Sequence, residues 1–398
     1  MRRSVFFLMI VGLVGGCQEK AEELNVDHVL KQSEIQLMYQ LKRIDQITTK
    51  KLISPRSVDE QGTLHMVPVW EWTVGFFPGS LWMMYDYTQD EFWRQKAEAF
   101  TTALESQQYN NRTHDTGFMM YCSYGKGCAL TSDSTYRAIL IQSAKSLASR
   151  YNDQVKAIKS WNHGKDKWQF PVIIDNMMNL ELLFWAAKAT GDSTFRNIAI
   201  NHAMVTLEHH YRMDNSSYHL VDFDPKTGHV IKKETVQGLA NESAWARGQA
   251  WGLYGYTLCY RETGIPMFLT QAEKIADYIM HHPAITADKI PLWDYDVTSK
   301  ADTPRDASAA AVTASALFEL AQYSDKSKTY RTFGKEIVSS LASSSYFAEA
   351  KTNEGYLLKH STGSMPHGNE IDVPLVYADY YFIEALLRLK KLEKNLGN

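Results

Sequence analysis

Residues 170–182 read Phe-Pro-Val-Ile-Ile-Asp-Asn-Met-Met-Asn-Leu-Glu-Leu, an apolar run with one carboxylate, Asp175, near its start and a second, Glu181, near its end. Helical spacing sets Asp175 and Asn179 one turn apart on the same face. The stretch from Ile174 to Ala189 is apolar nearly all round, which predicts a buried helix. A carboxylate on such an element must be hydrogen-bonded, paired or protonated, because an isolated buried charge is very costly. Asp175 is therefore the chain's best candidate for a general acid/base. The plainer reading is a carboxylate that caps the helix and ties down a neighbouring loop. Four further segments gather polar and aromatic residues beside helix ends: Trp70 to Gly79, His114 to Phe118, Glu242 to Trp251, and Asp372 to Glu384.

The elements that must position these groups are helices. Candidates lie near 28–48, 74–87, 91–108, 133–150, 173–190, 193–210, 245–262, 267–281, 306–323, 327–345 and 374–392, with a short one near 153–160. Gly191 and Gly264 fall where C-terminal caps belong, and Asp192 and Ser193 can open the next helix. Segments near 91, 193, 267 and 327 carry charged faces, whereas those near 74, 173, 245, 306 and 374 are rich in aromatic, Gly or Ala residues. This alternation argues for two concentric layers, six hairpin-like units of about 50–60 residues closing into a toroid. An open helical solenoid has the same periodicity. Hairpin signals are few, and no low-complexity linker divides the chain, so residues 28–398 read as one all-α domain.

The N-terminus reads as an address. Arg2 and Arg3 precede an apolar run from Val5 to Val14 that is too short to span a membrane, and Val14-Gly15-Gly16-Cys17 resembles a bacterial lipobox. Residues 1–17 would then be a lipoprotein signal with Cys17 lipidated, and 18–27 a polar tether. This address implies anchoring to the outer membrane on the periplasmic or cell-surface face. A plain secretory peptide and a soluble periplasmic protein are the alternative. Cys122 and Cys128 bracket a Ser-Tyr-Gly-Lys-Gly loop that could close as a disulfide in an oxidising compartment, while Cys259 reads as a buried apolar filler.

With 42 Lys and Arg against 45 Asp and Glu, the near-neutral balance gives no support for nucleic-acid binding. No zinc-ligand spacing is present, and the adjacent pairs His209-His210 and His281-His282 point to different helix faces, so neither metal nor other cofactor is called for. The 10 Trp and 22 Tyr suit sugar rings, whose CH faces stack on flat side chains, although most such residues are core.

Five motifs in order, Trp-Thr-x-Gly-Phe-Phe-Pro-Gly, His-Asp-x-Gly-Phe, Ile-Ile-Asp-x-Met-Met-Asn, Trp-Ala-Arg-Gly-Gln-Ala-Trp-Gly and Tyr-x-Asp-Tyr-Tyr-Phe-x-Glu-Ala, resemble those of the unsaturated glucuronyl hydrolases, glycoside hydrolase family 88. The likeness covers essentially the whole mature chain. It implies an (α/α)6 barrel with the site at one mouth. It also implies release of the 4,5-unsaturated uronate that polysaccharide lyases leave at a non-reducing end, by hydration of the vinyl-ether double bond. On this resemblance Asp175 is the acid/base, and Asp115 is a second carboxylate that holds sugar hydroxyls and biases Asp175 toward its protonated form. His114, His219, Gln237 and Arg247 contact the substrate or its carboxylate, and Trp72 and Trp251 stack on sugars. Ser361 and Ser364 lie in a loop near the second sugar, with Pro366 and His367 where a basic sulfate contact is expected.

Plainer readings stand beside these. Asp115 could be a turn residue, Arg247 could form a structural ion pair with a residue such as Glu242, either Trp could be core, and Asp306 and Asp372 read mainly as helix N-caps. Among functions, an unsaturated rhamnogalacturonyl hydrolase shares the barrel and the chemistry. A non-catalytic glycan-binding lipoprotein and direct hydrolysis by an inverting carboxylate pair are the remaining alternatives.

Overall fold

The computed structural model describes residues 24–47, 51–298 and 302–396. The proposed leader, the lipobox with Cys17 and most of the tether lie outside the described residues. Six helical segments form an inner ring. They are α2 (Phe76–Thr88), a composite segment over 116–131, α7 (Leu180–Thr190), α9 (Ala246–Thr263), α11 (Ala307–Leu320) and α13 (Val376–Leu396). Six helices lie outside it: α1 (Val26–Asp45), α3 (Glu91–Thr102), α6 (Ser134–Ala148), α8 (Ser193–His210), α10 (Pro266–His281) and α12 (Ser327–Leu341). Each inner segment packs on the next, and α13 returns to α2, so the ring is closed. Closure decides for the toroid over an open solenoid.

The inner helices are buried nearly all round, as in α11, where every residue from Ala307 to Leu320 is buried. Its small side chains let α9 and α13 pack closely on either side. The outer helices are amphipathic, and α1, α3, α6 and α8 are capped by short polar side chains. Asp90, Asp133 and Asp192 each accept a backbone N–H in the first turn of α3, α6 and α8. Gly191 and Gly264 close α7 and α9 in the left-handed region, at φ of 75° and 69°. Helix α1 starts at Val26, capped by Asn25, so the tether ends slightly earlier than its composition suggests.

Three expectations are corrected. The second inner segment, read from sequence as a Gly-containing loop, is helical: α4 (Thr116–Met120), a π-helical turn over Tyr121–Gly125, and α5 (Lys126–Thr131). Its glycines permit close packing rather than looping. A Cβ at Gly117 would sit 2.5 Å from Asn179 Cα, and one at Gly127 2.8 Å from the Tyr136 ring. Cys122 and Cys128 therefore lie on one continuous helical segment, and both are free thiols. Residues 153–160 are not a helix, because Tyr151–Asn152 and Ala157–Ile158 pair as a short hairpin, β3 and β4.

Hairpins are also more frequent than the sequence signals suggest. β1 (Ser54–Val58) and β2 (Leu64–Val67) precede α2; β5 (Phe170–Ile173), β6 (Leu220–Phe223) and β7 (Val230–Glu234) form one antiparallel sheet; β8 (Ser361–Ser364) and β9 (Asn369–Val373) precede α13. Strands β2, β5, β7 and β9 are each followed in the chain by an inner-ring segment, which gathers these small sheets around one mouth of the barrel.

Candidate active site

The same mouth collects the N-terminal ends of all six inner segments. A 3-10 turn, Trp72–Gly75, leads into α2, and His114 and Asp115 immediately precede α4. Asp175 sits in a 3-10 stretch, Ile174–Asn179, that runs into α7. Arg247 lies in the first turn of α9, Asp306 caps α11, and Tyr377 lies in the first turn of α13. A cleft of about 180 Å³ opens among them, lined by Trp72, His114, Asp115, Asp175, Gln237, Arg247 and Ser364, with Arg56, Trp161, Glu370 and Tyr377 completing the wall. Most of the side chains picked from sequence thus meet in one place.

Asp175 makes no capping hydrogen bond, so the plainer reading does not hold. It is buried, and its Oδ2 has no hydrogen-bond partner. Burial raises its pKa from the usual carboxylate range to about 7, with the nearby Asp115 adding to the rise and Arg247 opposing it. Facing Oδ2 at 3.7 Å is His219 Nε2, itself buried without a partner. The backbone N–H groups of Val236 and Gln237 donate to His219 Nδ1 at 2.9 and 3.3 Å. Nδ1 is therefore the acceptor and the proton resides on Nε2, aimed at Asp175. Burial, with Arg247 acting in the same direction, lowers the His219 pKa to about 3, so the contact is not an ion pair at neutral pH.

Asp115 accepts from the Thr113 hydroxyl, and its Oδ1 lies 3.2 Å from His114 Nε2. Burial holds His114 below its ordinary pKa, against the opposing pull of Asp115. The segment is fixed by His114 N–H donating to Ser160 O at 3.0 Å and by a bridge between Thr113 and Trp161. Asn179, one turn beyond Asp175, accepts from Phe118 N–H at 2.7 Å and so ties the two carboxylate-bearing segments together.

Arg247 does not pair with Glu242, which lies beside Arg212 instead. Its Nη1 donates to Asp306 Oδ2 at 2.7 Å and to Thr362 O at 2.5 Å, and Nη2 donates to Gly363 O at 2.6 Å. Burial pulls its pKa down, but Tyr377, Asp306 and Asp175 outweigh that and hold it above the ordinary value. The guanidinium thus clamps the β8–β9 hairpin, and Arg247 also lines the cleft. Asp306 does cap α11, as expected, accepting from Ser308 and Ala309 N–H.

Other sequence readings are revised. Trp251 is fully buried and packs tilted against Phe118 and edge-on to Tyr381, and it is not among the cleft-lining residues. Ser361 is also fully buried, beneath the hairpin, whereas Ser364 reaches the cleft and pairs with His367 Nδ1 at 2.7 Å. Asp372 is no helix cap. It sits in β9 at φ 57° and pairs with His360. Trp72 keeps one side open to the cleft while Tyr377 and Phe118 hold its ring at 5.2 and 5.5 Å. Gln237 lines the cleft and donates to Gly363 O at 3.2 Å.

Four cleft residues were missed. Arg56, on β1, is clamped by Glu71 and by both oxygens of Glu370, and lies over the Trp72 ring at 6.0 Å. Tyr377 faces Arg247 at 5.4 Å. Trp161 carried the clearest available signal, one of two Trp, with Trp168, inside a Lys-, Asp- and Gly-rich loop.

A model of glycosyl hydrolase family 88 matches residues 43–387. The chain belongs to this family. It is a glycosidase with the (α/α)6 fold. An unsaturated glucuronyl hydrolase of Formosa agariphila is 44% identical over 98% of this chain and 99% of its own length. An unsaturated chondroitin disaccharide hydrolase of Streptococcus agalactiae is 33% identical over 81% of this chain and 82% of its own. Among solved structures, an unsaturated glucuronyl hydrolase specific for heparin superposes with a TM-score of 0.89 at 46% identity, covering 93% of this chain and 99% of that one.

Proposed function

We propose that this family 88 glycosidase removes the 4,5-unsaturated uronic acid from the non-reducing end of lyase-generated oligosaccharides by hydrating the double bond. The observation that carries this reading is the pairing of a buried carboxyl whose pKa is raised to about 7 with an unpartnered neutral imidazole N–H at 3.7 Å. A carboxyl whose protonated and ionised forms are both populated near neutral pH can deliver a proton to C4 and later accept one. Positive charge then develops at C5 and the ring oxygen. The resulting Asp175 carboxylate takes a proton from water as its oxygen adds to C5. An oxygen lying beside both Asp175 Oδ2 and His219 Nε2 is held by two atoms that are otherwise unpartnered among the described residues. The hemiketal so formed opens between C5 and the ring oxygen, leaving a C5 ketone and a hemiacetal at C1 that expels the remaining saccharide.

Asp115 supports the protonated state of Asp175 through its charge and offers an acceptor to sugar hydroxyls. Arg247, which lines the cleft and whose charge acts on Asp175, serves the uronate carboxylate. Ser364 and Gln237 face the second sugar. The relatives' names favour glycosaminoglycan-type disaccharides among parent polymers for this chain, with ulvan and rhamnogalacturonan as alternatives.

The Val-Gly-Gly-Cys sequence at 14–17 supports a lipid anchor on Cys17 and an outer-membrane location, where the enzyme would act downstream of a polysaccharide lyase. Side-by-side turnover of unsaturated chondroitin, hyaluronan, heparin, ulvan and pectin disaccharides, followed by loss of enoate absorbance, tests the function. Turnover of a uronate disaccharide by the wild type and its loss in Asp175→Asn are expected. Full activity in a folded Asp175→Asn variant would sink the assignment.

A further inference from the structure

Beside the cleft lies a second hollow, of about 240 Å³, whose lining includes Trp70, Gln107, Tyr109, Asn110, Asn111 and Arg112. Trp70 and Tyr109 are each 68% exposed, the most exposed aromatic side chains among the described residues. Neither ring packs against another aromatic ring among those residues. Large flat side chains held out to water next to amide groups make a surface suited to a sugar: the ring CH face stacks on the aromatic, and the hydroxyls find donors and acceptors on Asn and Gln. Both arms of the hollow are joined along the chain to cleft residues. Trp70 is two residues before Trp72 on a turn closed by Glu71 N–H to Pro68 O at 3.0 Å. Arg112 is two residues before His114, and Thr113 bridges Trp161 at the cleft wall.

This edge is also stiff. Arg150 donates to Asn111 O and, at 2.8 Å, to Lys159 O, and Asn110 Oδ1 accepts from Arg112 N–H at 3.0 Å. The Arg112 guanidinium makes no ion pair among the described residues. From the proposed function, on which this step rests, we infer that the hollow is a distal subsite for the third and later sugars of an unsaturated oligosaccharide. Trp70 and Tyr109 are its platforms, and Arg112 is the partner for a uronate carboxylate. In a polymer whose uronates alternate with a second sugar, the next carboxylate after the reacting one falls on the third sugar, the first to pass beyond the cleft. The subsite would lend binding to longer fragments that a disaccharide cannot use.

The test compares kcat/KM for an unsaturated tetrasaccharide and disaccharide of the same polymer, in the wild type and in Trp70→Ala, Trp70→Phe and Arg112→Gln. Trp70→Ala should lower the tetrasaccharide-to-disaccharide ratio by roughly five- to tenfold, the usual scale for truncating an aromatic anchor. Trp70→Phe should restore most of it, and Arg112→Gln should lower it when the third sugar is a uronate. An unchanged ratio, or equal slowing of both substrates, overturns the inference. If the wild type turns over neither substrate, it is the proposed function that fails. Titration calorimetry with a saturated tetrasaccharide then decides the subsite alone: weaker binding by Trp70→Ala supports it, whereas equal affinity or no binding to the wild type overturns it.

Discussion

Replacing Asp175 by Asn should make the protein progressively more stable than the wild type as the pH rises, although it abolishes activity. Asp175 holds its proton up to about pH 7 in the folded state, whereas an unfolded aspartic acid gives it up near 3.8. The unfolded chain therefore ionises first, and between those two values each pH unit favours unfolding by about 1.4 kcal/mol. This is the reverse of a salt-bridged aspartate, whose stabilisation is lost on acidification. Three pH units set an upper figure of about 4 kcal/mol at pH 7 and above, and relaxation around the buried group brings the working range to about 2–4 kcal/mol. The Asp175→Asn variant lacks this penalty, and its amide nearly matches the shape of the protonated acid. For a chain of this size that corresponds to a rise in melting midpoint of about 3–5 °C. Thermal denaturation of both proteins across pH 4.5 to 8.5 checks it. The midpoints should be close at pH 4.5, diverge with the Asp175→Asn protein ahead, and run parallel above about pH 7. A difference that is independent of pH, or a less stable Asp175→Asn protein at pH 8, would refute the assigned environment of the carboxyl.

Further outcomes follow from the same geometry. The kcat/KM profile should fall above about pH 7 as Asp175 loses its proton, and His219, with its pKa near 3, should contribute no titration between pH 5 and 8; a pH–rate series reads both. Asp306→Asn leaves the fully buried Arg247 charge unpaired and should cost about 3 kcal/mol or more in denaturant titrations, with loss of turnover. Gly117→Ala drives a methyl group to 2.5 Å from Asn179 Cα and should destabilise by about 1–3 kcal/mol while displacing His114 and Asp115, seen as lower kcat in a folded protein. Thiol titration of the unfolded, unreduced chain should count Cys122, Cys128 and Cys259 as free; finding only one free thiol among them would restore the disulfide.

The sequence makes the barrel legible wherever the helical period is unbroken. The segments of α2, α7, α9, α11 and α13 read as rich in aromatic, Gly or Ala residues because much of their length packs against neighbours. The second inner segment was invisible for a physical reason. Gly117, Gly125 and Gly127 are there to admit Asn179, Tyr121 and the Trp82 and Tyr136 rings, and local rules score such glycines as loop formers. The short hairpins escaped because two- to five-residue strands carry too little alternation to register.

In the site, Asp175 stood out because a carboxylate among Ile173, Ile174, Met177 and Met178 contradicts its surroundings. Asp115 came with the ordered motifs, and His219 and Gln237 came only with the family resemblance, since nothing local marks them. Trp251 and Ser361 were misjudged because a motif position does not say which way a side chain points: the indole turns into the ring of aromatics under the floor, and the hydroxyl turns under the hairpin. Arg56 and Glu370 lie 314 residues apart, and only the closed ring brings them together.

The central claim is that Asp175 protonates a carbon of a double bond and that water then adds to C5, rather than to the anomeric carbon. A single-turnover reaction with an unsaturated disaccharide in ¹⁸O-water, quenched at once with borohydride and read by fragment mass spectrometry, locates the incoming oxygen. Hydration predicts the label on C5 of the released uronate. Label on C1 would mean direct displacement at the glycosidic carbon and would contradict the account.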